Sequence, residues 1–232
     1  MKKLKKFLVV IILIILSILA LLIGQGYKMY KEAISTMPLS QNVESIKSQK
    51  DYTSLSEIPK IYTVAVISVE DHRFKKHHGI DVIAIARAAF NDIRTMSFVE
   101  GGSTITQQLA KNMYFTQEKK ITRKIAEVFM SYEIEKNYSK DEILELYVNT
   151  IYYGNNYYNI KSASLGYFDN LPKDLNSSEC TMLAGIPNAP SLYNPKASPK
   201  LAKQRQKQVI QKMIKYGNLN KEDANKILDK NI

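Results

Sequence analysis

The feature that most constrains this chain is an unbroken apolar segment near its N-terminus. The start, MKKLKK, is followed by FLVVIILIILSILALLI, residues 7–23, and no charged residue occurs from Phe7 to Tyr27. A helix rises about 1.5 Å per residue, so this segment is long enough to cross a hydrocarbon layer about 30 Å thick. A cleaved signal peptide usually has a shorter apolar region and a small-residue cleavage site, and IGQGYKMYKE offers no convincing one. We therefore expect an uncleaved transmembrane anchor over residues 7–27.

The charge distribution sets the expected orientation and the class of partner. Lysines ahead of the anchor are typical of a tail that stays in the cytoplasm, so we expect a single-pass cell-membrane protein with residues 1–6 inside. The remainder then lies outside the cell. Its excess of basic residues, 33 against 22 acidic, favours anionic partners. In that location the partners are membrane phosphates, and nucleic acid is excluded.

The rest of the sequence has the composition of one globular domain. It shows no linker, repeat or low-complexity tract after Asp51, so we predict a polar stalk over residues 28–50 and a single domain over residues 51–232. Helical spacing of apolar residues predominates. The segment LAKQRQKQVIQKMIKYG, residues 201–217, predicts a basic amphipathic helix. Residues 61–71, IYTVAVISVED, are ambiguous, since their β-branched residues favour a strand and their apolar spacing favours a helix.

The segment SVEDHRFKKHHGID, residues 68–81, gathers three acidic residues, three cations and all three histidines of the chain. A metal site, a solvated surface loop and a catalytic carboxylate in a cationic cleft are the candidate explanations. Metal binding is disfavoured, because adjacent His77 and His78 point in different directions on any regular element and no cysteine lies nearby. The other two explanations stay open on this segment alone.

Five segments in chain order resemble the signature motifs of the peptidoglycan glycosyltransferases of family 51. This family comprises the transglycosylase domains of class A penicillin-binding proteins and their monofunctional relatives. The resemblance covers about residues 51–217, and since no transpeptidase domain follows, the chain resembles the monofunctional, membrane-anchored type. The segments are EDHRFKKHHGID (70–81), GGSTITQQLAKN (101–112), RKIAE (123–127), SKDEILELYVNTIYYG (139–154) and LAGIPNAPSLYNP (183–195).

The resemblance implies a mainly α, lysozyme-like helical domain with a small membrane-associated jaw subdomain, and it favours a helix for residues 61–71. It implies that the chain polymerises lipid II, a disaccharide-pentapeptide on undecaprenyl pyrophosphate, into linear glycan strands. The transfer inverts the anomeric carbon and moves the growing chain to the GlcNAc 4-hydroxyl of lipid II. The implied partners are lipid II, the nascent glycan strand and the membrane, with other cell-wall synthesis proteins as candidates.

By this resemblance Glu70 is the catalytic base. A sugar hydroxyl is a poor nucleophile, and a carboxylate within hydrogen-bond reach must take its proton as the bond forms. A pyrophosphate is already a good leaving group, so it needs charge stabilisation rather than a second carboxylic acid. Lys119 stands where relatives often carry an arginine. A lysine retains the positive charge at this position and lacks the bidentate fork of the arginine guanidinium. The implied phosphate-binding residues are Arg87, Lys111, Lys119, Arg123 and Lys124.

Glu127 matches the family's second functional glutamate, which coordinates a divalent cation, magnesium or manganese, or orients the pyrophosphate. The alternative is an ordinary helical ion pair with Arg123 at i, i+4. Polar side chains of the glycine-rich segment are candidates for binding the sugar hydroxyls and acetamides. The alternative is that this segment forms only a turn and a helix cap at Ser103 or Thr104. These side chains are Ser103, Thr104, Gln107 and Gln108.

Two other functions compete with the transferase. A lysozyme-like enzyme that cleaves glycans would also need a catalytic glutamate, but it gives no reason for the cluster of Lys111, Arg123 and Lys124. A non-catalytic membrane scaffold that binds lipid II or glycan would tolerate departures from the motifs. The chain has three of them: Lys119, and also Asn156 and Asn159, where the family usually has glycines.

Overall fold

The computed structural model describes residues 2–95, 101–116, 118 and 120–229. In these ranges the chain is helical, and β-structure is limited to one isolated bridge between His78 and Ile80. The mainly α prediction is therefore confirmed. The α-helices are α1 (Lys2–Thr36), α2 (Leu39–Lys47), α3 (Lys60–Glu70), α4 (Val82–Thr95), α5 (Ile105–Tyr114), α6 (Ile121–Asn137), α7 (Lys140–Val148), α8 (Ile160–Phe168), α9 (Ser177–Gly185), α10 (Pro199–Lys215) and α11 (Lys221–Asp229).

Helix α1 is the one helix in the described ranges that is long and apolar enough to cross a membrane. Its apolar side chains from Phe7 to Ile23 are exposed in the isolated chain, as expected of a segment whose solvent is lipid. The helix does not end at residue 27. It continues unbroken to Thr36, so the apolar segment and the first part of the predicted stalk form one rigid element.

The C-terminal part of α1 packs against α6. A Cβ at Gly26 would lie 2.5 Å from the Ile125 Cγ2 atom, so glycine permits close approach of the two helices. The rings of Tyr27 and Tyr30 lie 5.2 and 6.0 Å from that of Phe129. Residues 28–50, predicted as a polar stalk, are therefore mostly helical and in part packed on the domain.

The core is organised around α3, which the sequence left ambiguous between helix and strand. Tyr62, Ala65 and Val66 on this helix are buried, and α9 and α10 pack against it. Two fully buried tyrosines bridge α3 to the chain after α7 through a 2.5 Å hydroxyl contact between Tyr62 and Tyr153. This packing fixes the C-terminal end of α3, where Glu70 lies, between α5 and α10.

Candidate active site

A cleft of about 680 Å³ opens at the C-terminal end of α3. Its walls come from α3, α4, α5 and α10, together with the segment before α5 and the turn after α9. Glu70 and Arg87 lie in this cleft, as do Ser103, Gln108 and Lys111. The structure thus brings five of the predicted site residues to one cavity.

Glu70 is the last residue of α3, and 10% of its side chain is exposed. Its Oε2 atom accepts a hydrogen bond of 2.9 Å from Gln108 Nε2. Its Oε1 atom lies 3.8 Å from Arg205 Nη2 and accepts no hydrogen bond from the described residues. Burial raises the pKa of Glu70, although the Gln108 bond and the charge of Arg205 act in the opposite direction. A carboxyl group with a raised pKa at the edge of a cleft suits a general base.

The loop after Glu70 is held by hydrogen bonds to two buried carboxylates, Asp71 and Asp81. Asp71 pairs with His77 Nε2 at 2.9 Å, and it also accepts the backbone N–H of Ile105 at 3.1 Å. Arg73 Nε donates to Asp81 at 2.9 Å. Within the described ranges no three histidine, cysteine, aspartate or glutamate residues gather as a metal site. At least one of the three histidines therefore supports the loop, as the sequence suggested.

The glycine-rich segment divides into cleft residues and architectural residues. Thr104 caps α5: its side chain accepts from Gln107 N at 3.1 Å, and the Gln107 side chain accepts from Thr104 N at 3.0 Å. Thr104 also donates to the Gly79 carbonyl at 2.6 Å. Both residues are buried, and neither lines the cleft. Of the four predicted sugar-binding residues, Thr104 and Gln107 therefore lie outside the cleft lining, whereas Ser103 and Gln108 face the cavity.

The first basic wall, the α5–α6 wall, consists of Lys111, Arg123 and Lys124 around Glu127. Arg123 donates to Glu127 Oε1, and Lys124 Nζ lies 2.8 Å from Glu127 Oε2 and 2.6 Å from Ser103 Oγ. Glu127 is almost fully buried, and burial lowers the pKa of Lys111. The i, i+4 ion pair with Arg123, which was the alternative explanation of Glu127, is thus present. Glu127 also pairs with Lys124, so its carboxylate connects two cations beside the cleft.

A second basic wall, the α10 wall, consists of Arg205, Lys212 and Lys215, and all three line the cleft. These three residues are not among the site residues that the sequence predicts. The available signal was their spacing of seven and three positions, which puts them on one helical face together with Gln208. Arg205 is fixed by a 3.3 Å bond to the Gly185 carbonyl and a 3.0 Å bond to Gln208.

The C-terminal end of α10 is attached to the loop that follows Glu70. The rings of His72 and Tyr216 stack with centroids 4.1 Å apart and planes inclined by 9°. Asn218 Nδ2 donates to Ser68 Oγ at 2.9 Å. The α10 wall therefore has a fixed end beside the carboxylate.

Two of the three departures from the motifs, Asn156 and Asn159, fit the local backbone. Asn156 has a φ of 60°, the left-handed region that asparagine tolerates better than most residues. Asn159 is the N-cap of α8, and its side chain accepts from Ser162 N at 2.8 Å. Lys119, the third departure, lies outside the described residues.

The described residues do not by themselves fit a resident divalent cation. Both oxygens of Glu127, the predicted metal ligand, already accept from Arg123 and Lys124. Magnesium usually takes one or two protein carboxylates and completes its shell with water and substrate phosphates. A cation at Glu127 would have to displace an ion pair and take its other ligands from the substrate.

Comparisons with known proteins identify the family to which the chain belongs. The family model described as Transglycosylase matches residues 38–214. A Cupriavidus necator protein named "Putative transglycosylase" is 42% identical over 185 residues, which cover 80% of each chain. Penicillin-binding protein 1A of Neisseria gonorrhoeae is 46% identical over 72% of this chain and 21% of its own length. Penicillin-binding protein 1F of Bacillus subtilis is 42% identical over 82% of this chain and 27% of its own. The chain thus spans about a quarter or less of these penicillin-binding proteins.

Proposed function

This chain belongs to the transglycosylase family, and on that premise we propose that it is a membrane-anchored peptidoglycan glycosyltransferase that polymerises lipid II. The observation that carries the proposal is the carboxylate of Glu70, the one acidic side chain among the described residues that line the cleft, with lining cations on both α5 and α10. A reaction between two lipid-linked sugars brings two pyrophosphates and needs one base. The cleft has that composition.

Glu70 acts as the general base in the proposed reaction. Its ionised carboxylate takes the proton of the GlcNAc 4-hydroxyl while that oxygen forms a bond to C1 of the donor sugar. The bond from C1 to the pyrophosphate oxygen breaks, and the pyrophosphate leaves with the electron pair. Attack from the face opposite the leaving group inverts C1. Glu70 then releases its proton to solvent.

The α5–α6 wall stabilises the leaving pyrophosphate. Lys111 faces the cleft, and Lys124 reaches it through Ser103. The Glu127 carboxylate holds Arg123 and Lys124 in place before the substrate arrives. Donors fixed in advance at the position where negative charge develops need no reorganisation during the reaction, which is the largest single contribution in many enzymes.

The α10 wall holds the pyrophosphate of the acceptor lipid II. Arg205, Lys212 and Lys215 line the same cleft as Lys111 and come from a different helix, α10. Arg87 on α4 lines the same cavity and is a further candidate for this phosphate. With one pyrophosphate on each wall, the acceptor hydroxyl and the donor C1 meet beside the carboxylate.

The membrane supplies both substrates in the proposed orientation, with the N-terminal tail in the cytoplasm and the cleft outside. Helix α4 carries exposed apolar side chains, among them Val82, Ile83 and Phe90, of which 66%, 58% and 66% are exposed. An apolar surface of this kind fits the membrane-associated jaw expected from the resemblance. The lipid tails of the substrates would then stay in the bilayer while their head groups reach the cleft.

The test is lipid II polymerisation by the detergent-solubilised full chain and its Glu70→Gln variant. We expect the native chain to form polymer that lysozyme digests, and the variant to lose at least about 100-fold in rate, since the base is lost. Glu44→Gln, a change at an exposed residue of α2, is the matched control and should retain full activity.

Three results would contradict the proposal. Polymer formation by Glu70→Gln at the native rate would exclude this residue as the base. Lipid II that binds to the native chain but is never polymerised would favour the scaffold. Soluble muropeptides released from purified cell-wall sacculi would favour the glycan-cleaving enzyme.

A further inference from the structure

A buried tyrosine on α7 is connected to the carboxylate through one side chain. Tyr147 Oη donates to Gln108 Oε1 at 3.2 Å, and Gln108 Nε2 donates to Glu70 Oε2 at 2.9 Å. Tyr147 is 1% exposed and cannot touch a substrate. It is nevertheless the neighbour that decides which end of the Gln108 amide faces Glu70.

The donor and acceptor roles in this chain follow from chemistry. An ionised carboxylate can only accept hydrogen bonds, so Gln108 must present its NH₂ group to Glu70. The carbonyl end of the same amide then points to Tyr147, whose hydroxyl must donate. Rotating the amide by 180° would put two oxygens, Gln108 Oε1 and Glu70 Oε2, against each other. The Tyr147 hydroxyl therefore stabilises the one useful orientation of Gln108.

The position of the carboxylate thus depends on the bond to its Oε2 atom, because the other oxygen of Glu70 forms none with the described residues. Oε1 is buried, accepts no hydrogen bond from the described residues and lies on the side of Arg205. We propose that Tyr147 is a positioning residue: through Gln108 it holds Oε2 of Glu70 and so fixes the orientation in which the carboxylate takes the proton of the acceptor hydroxyl. The inference rests on the proposed function of Glu70 and deepens it.

Several groups from the surrounding elements face Glu70. Asp71 on its own loop raises the pKa of Glu70, and Lys111 on α5 and Arg205 on α10 lower it. Burial is the largest influence and raises the pKa, while the hydrogen bond from Gln108 is the largest influence that lowers it. Loss of an oriented Gln108 amide therefore raises the pKa of Glu70 further.

The test compares two buried tyrosines that each lose one hydroxyl. Tyr147→Phe breaks the bond to Gln108. Tyr167→Phe is the matched control, because Tyr167 is also buried and donates to the Tyr153 carbonyl at 2.8 Å, in a bond that involves neither Gln108 nor Glu70. We expect kcat to fall about three- to tenfold in Tyr147→Phe, the loss expected for one hydrogen bond. The acidic limb of its rate profile should move to higher pH, and Tyr167→Phe should leave that limb unchanged.

A direct measurement of Glu70 separates this inference from the proposed reaction. In protein labelled with ¹³C at the glutamate carboxyl groups, the Glu70 signal is the one missing in Glu70→Gln. We expect it to titrate at higher pH in Tyr147→Phe than in the native chain or in Tyr167→Phe. An unchanged titration would overturn the inference. A shifted titration in a chain that does not polymerise lipid II would retain the positioning by Tyr147 and reject the reaction.

A second variant tests whether the effect passes through Gln108. Gln108→Met keeps the length of the side chain and removes both hydrogen bonds, so it should shift the Glu70 titration in the same direction. Tyr147→Phe added to Gln108→Met should then produce no further shift, since coupled residues are not additive. An equal shift from Tyr147→Phe in both backgrounds would overturn the relay. If Tyr147→Phe fails to fold, an unshifted titration in Gln108→Met alone would also overturn it.

Discussion

Each basic wall has one cation near Glu70, Lys111 on α5 and Arg205 on α10, and the two walls are built differently. In the α5–α6 wall, Arg123 and Lys124 are paired with a buried acid, Glu127, which fixes their positions. In the α10 wall, Lys212 and Lys215 form no ion pair with any acid in the described part of the chain, and the one described acid that pairs with Arg205 is Glu70 itself. The cations of the α5–α6 wall are thus preorganised by an acid of the protein. The two lysines of the α10 wall have no acidic partner in the described part of the chain.

This difference fits the two substrates of the proposed reaction. The leaving pyrophosphate gains charge in the transition state, and fixed donors stabilise it without reorganisation. The acceptor pyrophosphate changes little during transfer and must afterwards move, because the lengthened chain becomes the next donor. Lysines that have no acidic partner in the described part of the chain can bind this pyrophosphate and release it again. The comparison predicts that changes in the α5–α6 wall lower kcat, whereas changes in the α10 wall raise KM.

The largest effect should follow from Glu127→Gln, which leaves Arg123 and Lys124 without their common anchor. We expect kcat to fall by about 100-fold, the loss typical of removing a preorganised donor, with little change in KM. The control is Glu135→Gln on the same helix, since Glu135 forms a comparable ion pair of 2.6 Å with Lys140 away from the cleft. Equal losses of kcat in both variants would show that Glu127 acts only through stability.

Lys212→Gln should act on binding instead. We expect the KM for lipid II to rise about tenfold and kcat to stay near its native value, because the lost contact is equal in the ground and transition states. Lys207→Gln on the exposed face of α10 is the matched control and should leave both constants unchanged. A fall in kcat without a change in KM would assign Lys212 to the leaving group and remove the distinction between the walls.

The pH dependence compares the walls through the base that they share. Glu70 works when ionised, so activity is lost as the pH falls through its pKa, which burial raises. Removing a neighbouring positive charge raises that pKa and moves the acidic limb to higher pH. Arg205 lowers the pKa of Glu70 more than Lys111 does, so Arg205→Gln should move the limb further than Lys111→Gln. The opposite order in the measured rate profiles would place the base closer to the α5–α6 wall.

The smallest effect should come from removing divalent cations. Glu127 already binds two cationic side chains, so we expect EDTA to lower the rate of polymerisation by less than about threefold, with Arg123 and Lys124 still present. Loss of most activity in EDTA, restored by magnesium or manganese, would show that Glu127 exchanges an ion pair for a metal. That result would also show that the α5–α6 wall is preorganised only when a metal ion is bound.

The two walls also differ in how far the sequence predicts them. Glu70, Lys111 and Glu127 stand in motifs whose resemblance to a family assigns them a role. The α10 wall is visible only as a basic amphipathic helix, because periodicity shows which face is apolar but not what the opposite face meets. Its contact with Glu70 depends on the packing of α10 on α3, between residues more than a hundred positions apart.

Elsewhere, long-range contacts decide what local patterns leave open. Thr104 and Gln107 are the polar types expected at a sugar site, yet their bonds to each other and to Gly79 bury them in the loop. Residues 28–50 read as a polar stalk, but Leu39 and Val43 are buried because α2 lies on the domain. The α3 helix shows the reverse case, in which helical spacing outweighed the β-branched composition.

The most direct test of the two-wall account separates donor from acceptor. Lipid II with its GlcNAc 4-hydroxyl blocked can serve only as a donor, and unblocked lipid II can be titrated against it as the acceptor. We predict that Lys212→Gln raises the acceptor KM and leaves the donor KM unchanged, and that Lys111→Gln does not raise the acceptor KM and impairs use of the donor. The same pattern of constants in both variants would contradict the account.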